Sequence, residues 1–266
     1  MIELTRTIRF SIGPGGVLDA DLPRHNTFAS WPPMRWLGRY YELAIMCRGE
    51  PDAVTGYFIN ITDIDRVGRD KALPIIADAT GTADRGGDVR IGRLMREVIT
   101  VAQPDLNSSI TCVTLRLAPT LSIAIKEDDM SHVLISQQYE FSSAHRLHVE
   151  QLSDDENRDV FGKCNNPSGH GHNYRLEVTV KAPILEAGRV VDVEQLDELV
   201  DRVVVNRFDH KHLNQDTTEF AHLNPSVENI AQVIYGLLES ALTELRCDLD
   251  QVRVWETGKT VCTYRG

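Results

Sequence analysis

The sequence has little cysteine and no long apolar run. Its 266 residues include five cysteines, which are scattered without the paired spacing of a disulfide framework: Cys47, Cys112, Cys164, Cys247 and Cys262. No stretch of apolar residues is long enough to cross a membrane, and no basic leader precedes a cleavable apolar segment. We therefore expect free thiols, a reducing compartment, a cytoplasmic protein and no membrane partner.

Positive charge is scarce in the second half of the chain. Residues 131–266 carry 22 acidic side chains against 13 lysines and arginines, and the whole chain has a formal net charge of -11. A phosphate backbone attracts a basic surface, not an acidic one. The charge therefore argues against nucleic acid as a partner and leaves small molecules and other protein chains.

The second half reads as one compact α+β unit. Apolar residues that alternate predict strands, and apolar residues at helical spacing predict two helices between them. The strands are predicted at residues 133–141, 174–180, 251–256 and 260–264, and the helices begin near Val193 and Ser226. The order of elements is ββααββ.

The first half repeats this order with faint residue echoes. Gly-Arg-Tyr-Tyr-Glu-Leu at residues 38–43 lies over Gly-His-Asn-Tyr-Arg-Leu at residues 171–176. We interpret the chain as tandem α+β domains, with residues 1–129 as a degenerate copy and residues 130–266 as the second copy. An antiparallel sheet with its helices on one face leaves its other face and its edges uncovered, so we expect a barrel-forming homo-oligomer.

Three histidines form a candidate metal site in the second copy. His170 and His172 are two residues apart at the start of a predicted strand, so both rings leave the same face. His145 follows the neighbouring predicted strand and can approach the same point. Three histidines without a fourth protein ligand are typical of catalytic zinc, whose open position takes water or substrate. The first copy has no zinc ligand at the corresponding positions, which are Pro14, Leu37 and Arg39.

These histidines belong to a longer motif. Residues 162–174 read GKCNNPSGHGHNY, and this segment resembles the 6-pyruvoyltetrahydropterin synthase family, which includes the bacterial 6-carboxytetrahydropterin synthases of queuosine biosynthesis. Shorter matches lie at residues 141–147, 209–214, 225–231 and 254–257. The resemblance implies the tunnelling fold, in which sheets from several subunits join into a barrel with active sites at the subunit interfaces. The first copy resembles the family only as a degenerate relative.

The resemblance also implies a substrate and a role for each matching residue. The substrate is 7,8-dihydroneopterin triphosphate, and the enzyme is a zinc-dependent carbon-oxygen/carbon-carbon lyase that shuttles protons and eliminates triphosphate. One carboxylate can accept two hydrogen bonds from the pterin ring. The implied roles are Zn²⁺ ligation by His145, His170 and His172, proton transfer by Cys164, Asp209 and His210, and binding of the pterin ring by Glu256.

The product and a rival class stay open. Both 6-carboxy-5,6,7,8-tetrahydropterin and 6-pyruvoyltetrahydropterin need the same site. The wide occurrence of the tRNA-modification pathway favours the carboxy product, whereas the six-residue step from Cys164 to His170 is typical of pyruvoyl-forming members. The alternative is a non-catalytic pterin-binding or scaffold protein of the same fold. A plain zinc hydrolase is weaker, because we find no separate carboxylate base beside the ligands. The remaining histidines of this half are interpreted as surface residues: His148, His212 and His222.

Overall fold

The computed structural model describes residues 1–18, 32, 37–107 and 109–266. The chain folds into two compact units. The first comprises Met1–Ile135 and Ala182–Val190, and the second comprises Ser136–Lys181 and Val191–Gly266. Within the described part of the chain, no helix combines the length and the apolar character that crossing a membrane requires.

The first unit is built on an antiparallel sheet. Its strands are β1 (Ile2–Gly13), β2 (Val17–Leu18), β3 (Arg39–Gly49), β4 (Ile110–Ala118) and β5 (Leu121–Lys126), in the spatial order β2-β1-β3-β4-β5. Alternate side chains of β1 and β3 are buried, among them Ile8, Phe10, Leu43 and Ile45. Since successive side chains of a strand point to opposite faces, this alternation gives the sheet one apolar face.

Three α-helices pack in the part of the first unit that the structure describes. They are α1 (Ile61–Val67), α2 (Leu73–Asp84) and α3 (Ile91–Ala102), and a π-helical segment (Gly68–Ala72) joins α1 to α2. Asn60 caps α1 by accepting a hydrogen bond from the amide of Thr62 at 3.0 Å. Helix α3 buries a stripe at helical spacing, which faces the core: Leu94, Met95, Val98 and Ile99.

The second unit carries the strands that position the histidines. Strand β6 (Asp129–His145) begins in the first unit and ends in the second. The others are β7 (His170–Pro183), β8 (Lys211–His212), β9 (Asp248–Thr257) and β10 (Thr260–Tyr264). Their order is β10-β9-β7-β6, and the short β8 pairs parallel to β6 with Ser143 opposite Lys211. The inward face of β7 is fully buried at Tyr174, Leu176 and Val178.

Five helices accompany these strands. They are α4 (Asp154–Phe161), α5 (Val193–Val200), α6 (Asn206–Phe208), α7 (Leu213–Asp216) and α8 (Val227–Ala241), and a π-helical segment (Asp201–Val205) joins α5 to α6. Ser226 caps α8 by accepting from the amide of Asn229. Helix α8 buries one apolar stripe at Ile230, Ile234 and Leu238, as expected for an amphipathic helix that covers a sheet.

The α+β class with antiparallel sheets is confirmed. The helix starts predicted near Val193 and Ser226 coincide with those of α5 and α8. The sequence patterns did not reveal α4 or the parallel strand β8. In both units a helix that contains a π-helical segment precedes a second helix. A residue with a left-handed backbone follows the second helix, and this residue is Asn107 in the first unit and Arg246 in the second. An antiparallel strand pair follows in each unit.

Candidate metal centre

Three histidine rings meet where β6 ends and β7 begins. His145 is the last residue of β6, while His170 and His172 are the first and third residues of β7. Their ligand atoms all lie within 4.8 Å of one another. His170, His172 and Tyr174 follow one another at two-residue steps in β7, so their side chains lie on the same face of the strand. Tyr174 on this face is buried in the core. The structure therefore brings together the three residues that the sequence singled out as ligands.

Hydrogen bonding orients His145 toward its two neighbours. Its Nδ1 lies 2.7 Å from the carbonyl oxygen of Pro225, to which it donates. This bond fixes the tautomer and leaves the lone pair of Nε2 directed at His170, whose Nε2 is 3.1 Å away. Nitrogen atoms of the other two rings, Nδ1 of His170 and Nε2 of His172, are buried and have no hydrogen-bond partner among the described residues.

Burial favours the neutral forms of His145 and His170. The side chain of His145 is fully buried, and desolvation is the largest cause that lowers its pKa to about 4; the charges of the other histidines act in the same direction. The pKa of His170 is also lowered, mainly by desolvation and to a smaller extent by the charge of His172. Metal ions bind the neutral imidazole, so these shifts favour metal binding at neutral pH.

The donor set fits zinc. Two nitrogens bound to one tetrahedral zinc at about 2.0–2.1 Å lie roughly 3.3 Å apart, close to the 3.1 Å between Nε2 of His145 and Nε2 of His170. A bound cation would also satisfy the buried nitrogen of His172. Three histidine ligands leave one tetrahedral position open for an exogenous oxygen, which is the arrangement of catalytic zinc.

A carboxylate lies next to the three rings. Oε1 of Glu256 is 3.6 Å from Nε2 of His145 and 3.9 Å from Nε2 of His172. The expectation that no separate carboxylate accompanies the ligands is therefore wrong. Strand β9 pairs with β7 so that Trp255 faces Arg175, and the next residue, Glu256, projects to the face that holds the histidines. Only this strand pairing reveals the contact, since 84 positions separate Glu256 from His172 along the chain.

Cys164 lies on the turn that precedes β7. It belongs to a single 3-10 turn, Gly162–Asn165, and its side chain is half-exposed. Its carbonyl oxygen accepts a hydrogen bond from the amide of Leu147 at 2.9 Å, two residues beyond His145. Burial is the main cause that raises the pKa of the other four thiols, to about 11 for Cys247, which agrees with a packing role: Cys47, Cys112, Cys247 and Cys262.

Asp209 and His210 form a pair that is hydrogen-bonded to strand β6. Nδ1 of His210 is 2.6 Å from Oδ2 of Asp209, and Oδ1 of Asp209 accepts from the amide of Ser142 at 2.8 Å. These two hydrogen bonds hold the pKa of Asp209 below its ordinary value, and the bond from Ser142 has the larger effect. The amide of His210 donates to the carbonyl of Ser142, and His210 has a left-handed backbone with φ of 56°. A non-glycine residue held in that region is strained, which is frequent at functional sites.

The pair and the thiol are not joined within the chain. The His210 side chain is 83% exposed, and no hydrogen bond or ion pair links it to Cys164 in the part of the chain that the structure describes. With Ser142, His172 and Asn173, His210 instead lines an open depression of about 450 Å³. The structure therefore gathers the three histidines and Glu256, whereas the His210 side chain is exposed.

His212 is not the surface residue expected from the sequence. Both of its ring nitrogens are buried, and neither has a partner among the described residues. The ring packs against Gly169, the residue before the first ligand of β7. Gly169 has φ of 71°, and a Cβ there would lie 2.6 Å from Nε2 of His212 and 3.0 Å from the carbonyl oxygen of His145. Position 169 therefore requires glycine for two reasons, which are the positive φ and the lack of space for a Cβ.

We expect Gly169→Ala to weaken metal binding about 10–100-fold, the range found when residues that orient metal ligands are changed. The methyl group would push His212 and the end of β6 apart and displace His170. The matched control is Gly171→Ala, whose Cβ would meet only the carbonyl oxygen of Ser143, at 3.6 Å. Competition with a zinc-binding dye measures both affinities, and equal values for the two variants would contradict the expectation.

Comparison with known proteins supplies a family. The family model described as 6-pyruvoyl tetrahydropterin synthase matches residues 134–266. The 6-pyruvoyl tetrahydrobiopterin synthase of Drosophila melanogaster is 44% identical over 127 residues, which are 47% of this chain and 75% of the relative. The Homo sapiens protein of the same name is 39% identical over 133 residues, which are 50% of this chain and 90% of the relative.

A more distant relative and a solved structure also match about half of this chain. The 6-carboxy-5,6,7,8-tetrahydropterin synthase of Haemophilus influenzae is 26% identical over 152 residues, which are 49% of this chain and 97% of the relative. The solved structure of Caenorhabditis elegans 6-pyruvoyl tetrahydropterin synthase has 37% sequence identity and a TM-score of 0.48, and the match covers 51% of this chain and 96% of that one. Each of these matches involves about half of the chain.

Proposed function

Because this chain belongs to the 6-pyruvoyl tetrahydropterin synthase family, we propose that it is a zinc-dependent lyase that converts 7,8-dihydroneopterin triphosphate with loss of triphosphate. One observation carries the proposal: three histidine rings and the carboxylate of Glu256 converge on one point. A scaffold protein has no physical need for this convergence, because buried unpartnered nitrogens destabilise a fold unless a ligand satisfies them.

In this proposal His145, His170 and His172 hold zinc. When bound, zinc supplies Lewis-acid polarisation of the hydroxyl oxygens on the substrate side chain, which makes the adjoining C–H groups more acidic. The protein contributes the three rings and the Pro225 carbonyl, which keeps His145 in the tautomer that presents Nε2. Replacing an orienting partner of this kind ordinarily weakens metal binding.

The remaining residues bind the substrate and move protons. Cys164, as the thiolate, removes the proton from a side-chain carbon of the substrate and returns it to the neighbouring carbon. His210 exchanges protons with the thiol, and Asp209 holds the ring through the 2.6 Å hydrogen bond at Nδ1 so that Nε2 faces outward. Glu256 accepts two hydrogen bonds from the ring N–H and the amino group of the pterin.

For the product we favour 6-pyruvoyltetrahydropterin. Relatives that carry the name 6-pyruvoyl tetrahydrobiopterin synthase match at 35–44% identity over 127–135 residues. The 6-carboxy-5,6,7,8-tetrahydropterin synthase of Haemophilus influenzae matches at 26% identity, and the putative one of Archaeoglobus fulgidus matches at 36% identity over a shorter stretch of 87 residues. The six-residue step from Cys164 to His170 agrees with this choice. Together these observations reverse the preference for the carboxy product that the breadth of the tRNA-modification pathway suggests.

We also propose that the working unit is a homo-oligomer with shared active sites. His210 is exposed and has no link to Cys164 of its own chain within the described residues. Strand β10 pairs only with β9 among the described strands, so its outer edge is open and includes the exposed Val261. Open edges of this kind recruit another strand. An oligomer joined there would allow His210 of one chain to face the thiol of another.

The first copy would then contribute strands to the assembly but no catalytic residues. At the positions that correspond to zinc ligands, Leu37 is 91% exposed and Arg39 forms an ion pair with Asp84 at 2.5 Å. The shared order of elements in the two units supports a tandem duplication of residues 1–129 and 130–266. We propose that the first copy is the degenerate one and that it widens the interface available for assembly.

The test is incubation of the purified, zinc-loaded protein with 7,8-dihydroneopterin triphosphate, followed by chromatography of the pterins and an assay for released aldehyde. Triphosphate release with a pyruvoyl-type product supports the proposal as stated. Acetaldehyde together with a carboxypterin supports the lyase but overturns the product. Absence of substrate consumption by zinc-loaded protein overturns the lyase and favours the scaffold.

Shared sites predict complementation between two inactive variants. When Cys164→Ala and His210→Ala chains are refolded together, we expect about a quarter of the wild-type activity, because random assembly leaves one site in four with both residues intact. The control mixes Cys164→Ala with Cys164→Ser, which share one defect and cannot restore each other. Activity no higher than that of the separate variants would place the thiol and the imidazole in the same chain.

A further inference from the structure

The three residues that follow His145 have an unusual set of partners. Residues 146–148 continue the chain beyond β6 and lie outside regular secondary structure, so their backbone groups need other partners. The amide of Leu147 donates to the carbonyl of Cys164 at 2.9 Å. The carbonyl of Leu147 accepts from Nδ2 of Asn165 at 2.7 Å. The segment after the metal ligand is therefore bound directly to the residue that carries the thiol and to the residue after it.

Asn165 directs its polar groups at this segment. Its side chain is largely buried, with 7% exposed. Nδ2 lies 3.1 Å from Nδ1 of His148 in addition to its bond with Leu147. The guanidinium of Arg146 donates to the backbone oxygen of Asn165 at 3.1 Å and approaches the side-chain oxygen at 3.4 Å. Loss of this amide would leave several buried groups without partners.

Two other asparagines hold the same segment from elsewhere in the fold. Asn214 accepts from the amide of Arg146 at 2.8 Å and donates to its carbonyl at 3.0 Å, as a neighbouring strand would. Asn224 accepts from the amide of His148 at 3.1 Å. Asn214 lies in α7, which directly follows the Asp209–His210 pair and β8, and Asn224 precedes the Pro225 carbonyl that orients His145. The segment is thus tied to the turn that carries Cys164, to the helix after the Asp209–His210 pair and to the residue before Pro225.

We infer that Asn165 is a positioning residue that fixes the Cys164 thiol relative to the metal ligand His145. The inference rests on the proposed function for its catalytic consequence, although the geometry stands without it. Asn165 is adjacent to Cys164 in the chain, and its side chain reaches the segment that begins at His145. A thiol that would exchange protons with a substrate held at the histidines must lie at a fixed distance from them, and small displacements of such groups reduce rates strongly.

Asn157 is the matched control. It is the same residue type, is fully buried, and lies in α4 of the same unit. Nδ2 of Asn157 donates to the carbonyls of Val149 and Leu152 at 2.9 and 3.0 Å, and Oδ1 accepts from the amide of Val149 at 2.8 Å. None of these bonds involves Cys164. Asn157→Ala therefore reproduces the loss of a buried amide without releasing the turn that carries the thiol.

The experiment compares Asn165→Ala and Asn157→Ala in the zinc-loaded protein. It measures the thermal midpoint, the zinc content, the rate of iodoacetamide alkylation of Cys164 by peptide mass spectrometry, and kcat and KM. For Asn165→Ala we expect an alkylation rate changed at least about fivefold and a kcat lowered about 10–100-fold with KM nearly unchanged, the signature of misplaced catalytic groups. For Asn157→Ala we expect a similar loss of thermal stability with wild-type alkylation and kcat.

The outcomes separate the two claims. Equal alkylation and kcat changes in the two variants at equal loss of thermal stability would overturn the positioning role. If the wild type does not consume the pterin triphosphate, the proposed function fails, while the alkylation comparison still decides the role of Asn165. Should Asn165→Ala not fold, Arg146→Lys removes the guanidinium contacts with Asn165 and keeps the charge. We expect it to change alkylation and kcat in the same direction to a smaller extent, and wild-type values would again overturn the inference.

Discussion

Replacing Cys164 by alanine is expected to lower kcat about 10²–10⁴-fold, the contribution of a positioned acid or base to proton transfer. Zinc content should stay at the wild-type level, because the thiol is on the 3-10 turn before β7 and the three ligands are histidines. The loss should appear in kcat with little change in KM, since the pterin ring is held by a different residue, Glu256, in the proposed site.

Kinetics with 7,8-dihydroneopterin triphosphate and metal analysis of the same samples check this expectation. Cys262→Ala is the matched control, because Cys262 is also only partly buried and belongs to the same unit, while burial raises the pKa of its thiol. Cys262→Ala should turn over substrate like the wild type. A Cys164→Ala variant that retains more than about a tenth of the wild-type kcat would assign the proton transfer to another group.

Replacing His145 by alanine should remove both zinc and turnover, and it should also destabilise the second unit. The ring is fully buried and its Nδ1 donates to the carbonyl of Pro225. Its loss leaves that carbonyl without its partner, at a cost of about 1–3 kcal/mol, and opens a cavity between His170 and Tyr174, which both pack against the ring. His145→Ala is therefore expected to combine a functional and a structural defect.

Thermal unfolding with and without added zinc distinguishes the two defects. A ligand that binds the folded protein raises its midpoint, so zinc should stabilise the wild type and have no such effect on His145→Ala. The exposed His222 offers the control, because His222→Ala should keep the zinc response, the zinc content and the turnover. Zinc-dependent stabilisation of His145→Ala equal to that of the wild type would show that the ion binds elsewhere.

The chemical content of the site was accessible from the sequence. The two-residue step between His170 and His172 is informative without a structure, because a strand alternates its side chains between two faces. His145 followed from the end of the neighbouring predicted strand, and the motif at residues 162–174 supplied the family. These features are local, since each depends on residues within about one turn or strand of one another.

The extent of the elements was less accessible. Strand β7 runs over His170–Pro183, whereas alternation predicted only residues 174–180. The polar residues at its start have no apolar periodicity, and pairing with neighbouring strands makes them extended. In the same way, apolar spacing located the helix that begins at Val193 but gave no sign of the π-helical segment Asp201–Val205 inside it. A local pattern does not record how neighbouring elements shift the backbone.

The sequence by itself determined the α+β class, the family and the three histidines that can hold a metal. Only the tertiary structure decided that Glu256 lies beside the rings, that the ring nitrogens of His212 are buried against Gly169, that the Asn165 side chain is bonded to the segment after His145, and that His210 is exposed. The physical reason is the separation along the chain. Strand pairing and side-chain amides bring these residues together or keep them apart, and neither is encoded in the spacing of nearby residues.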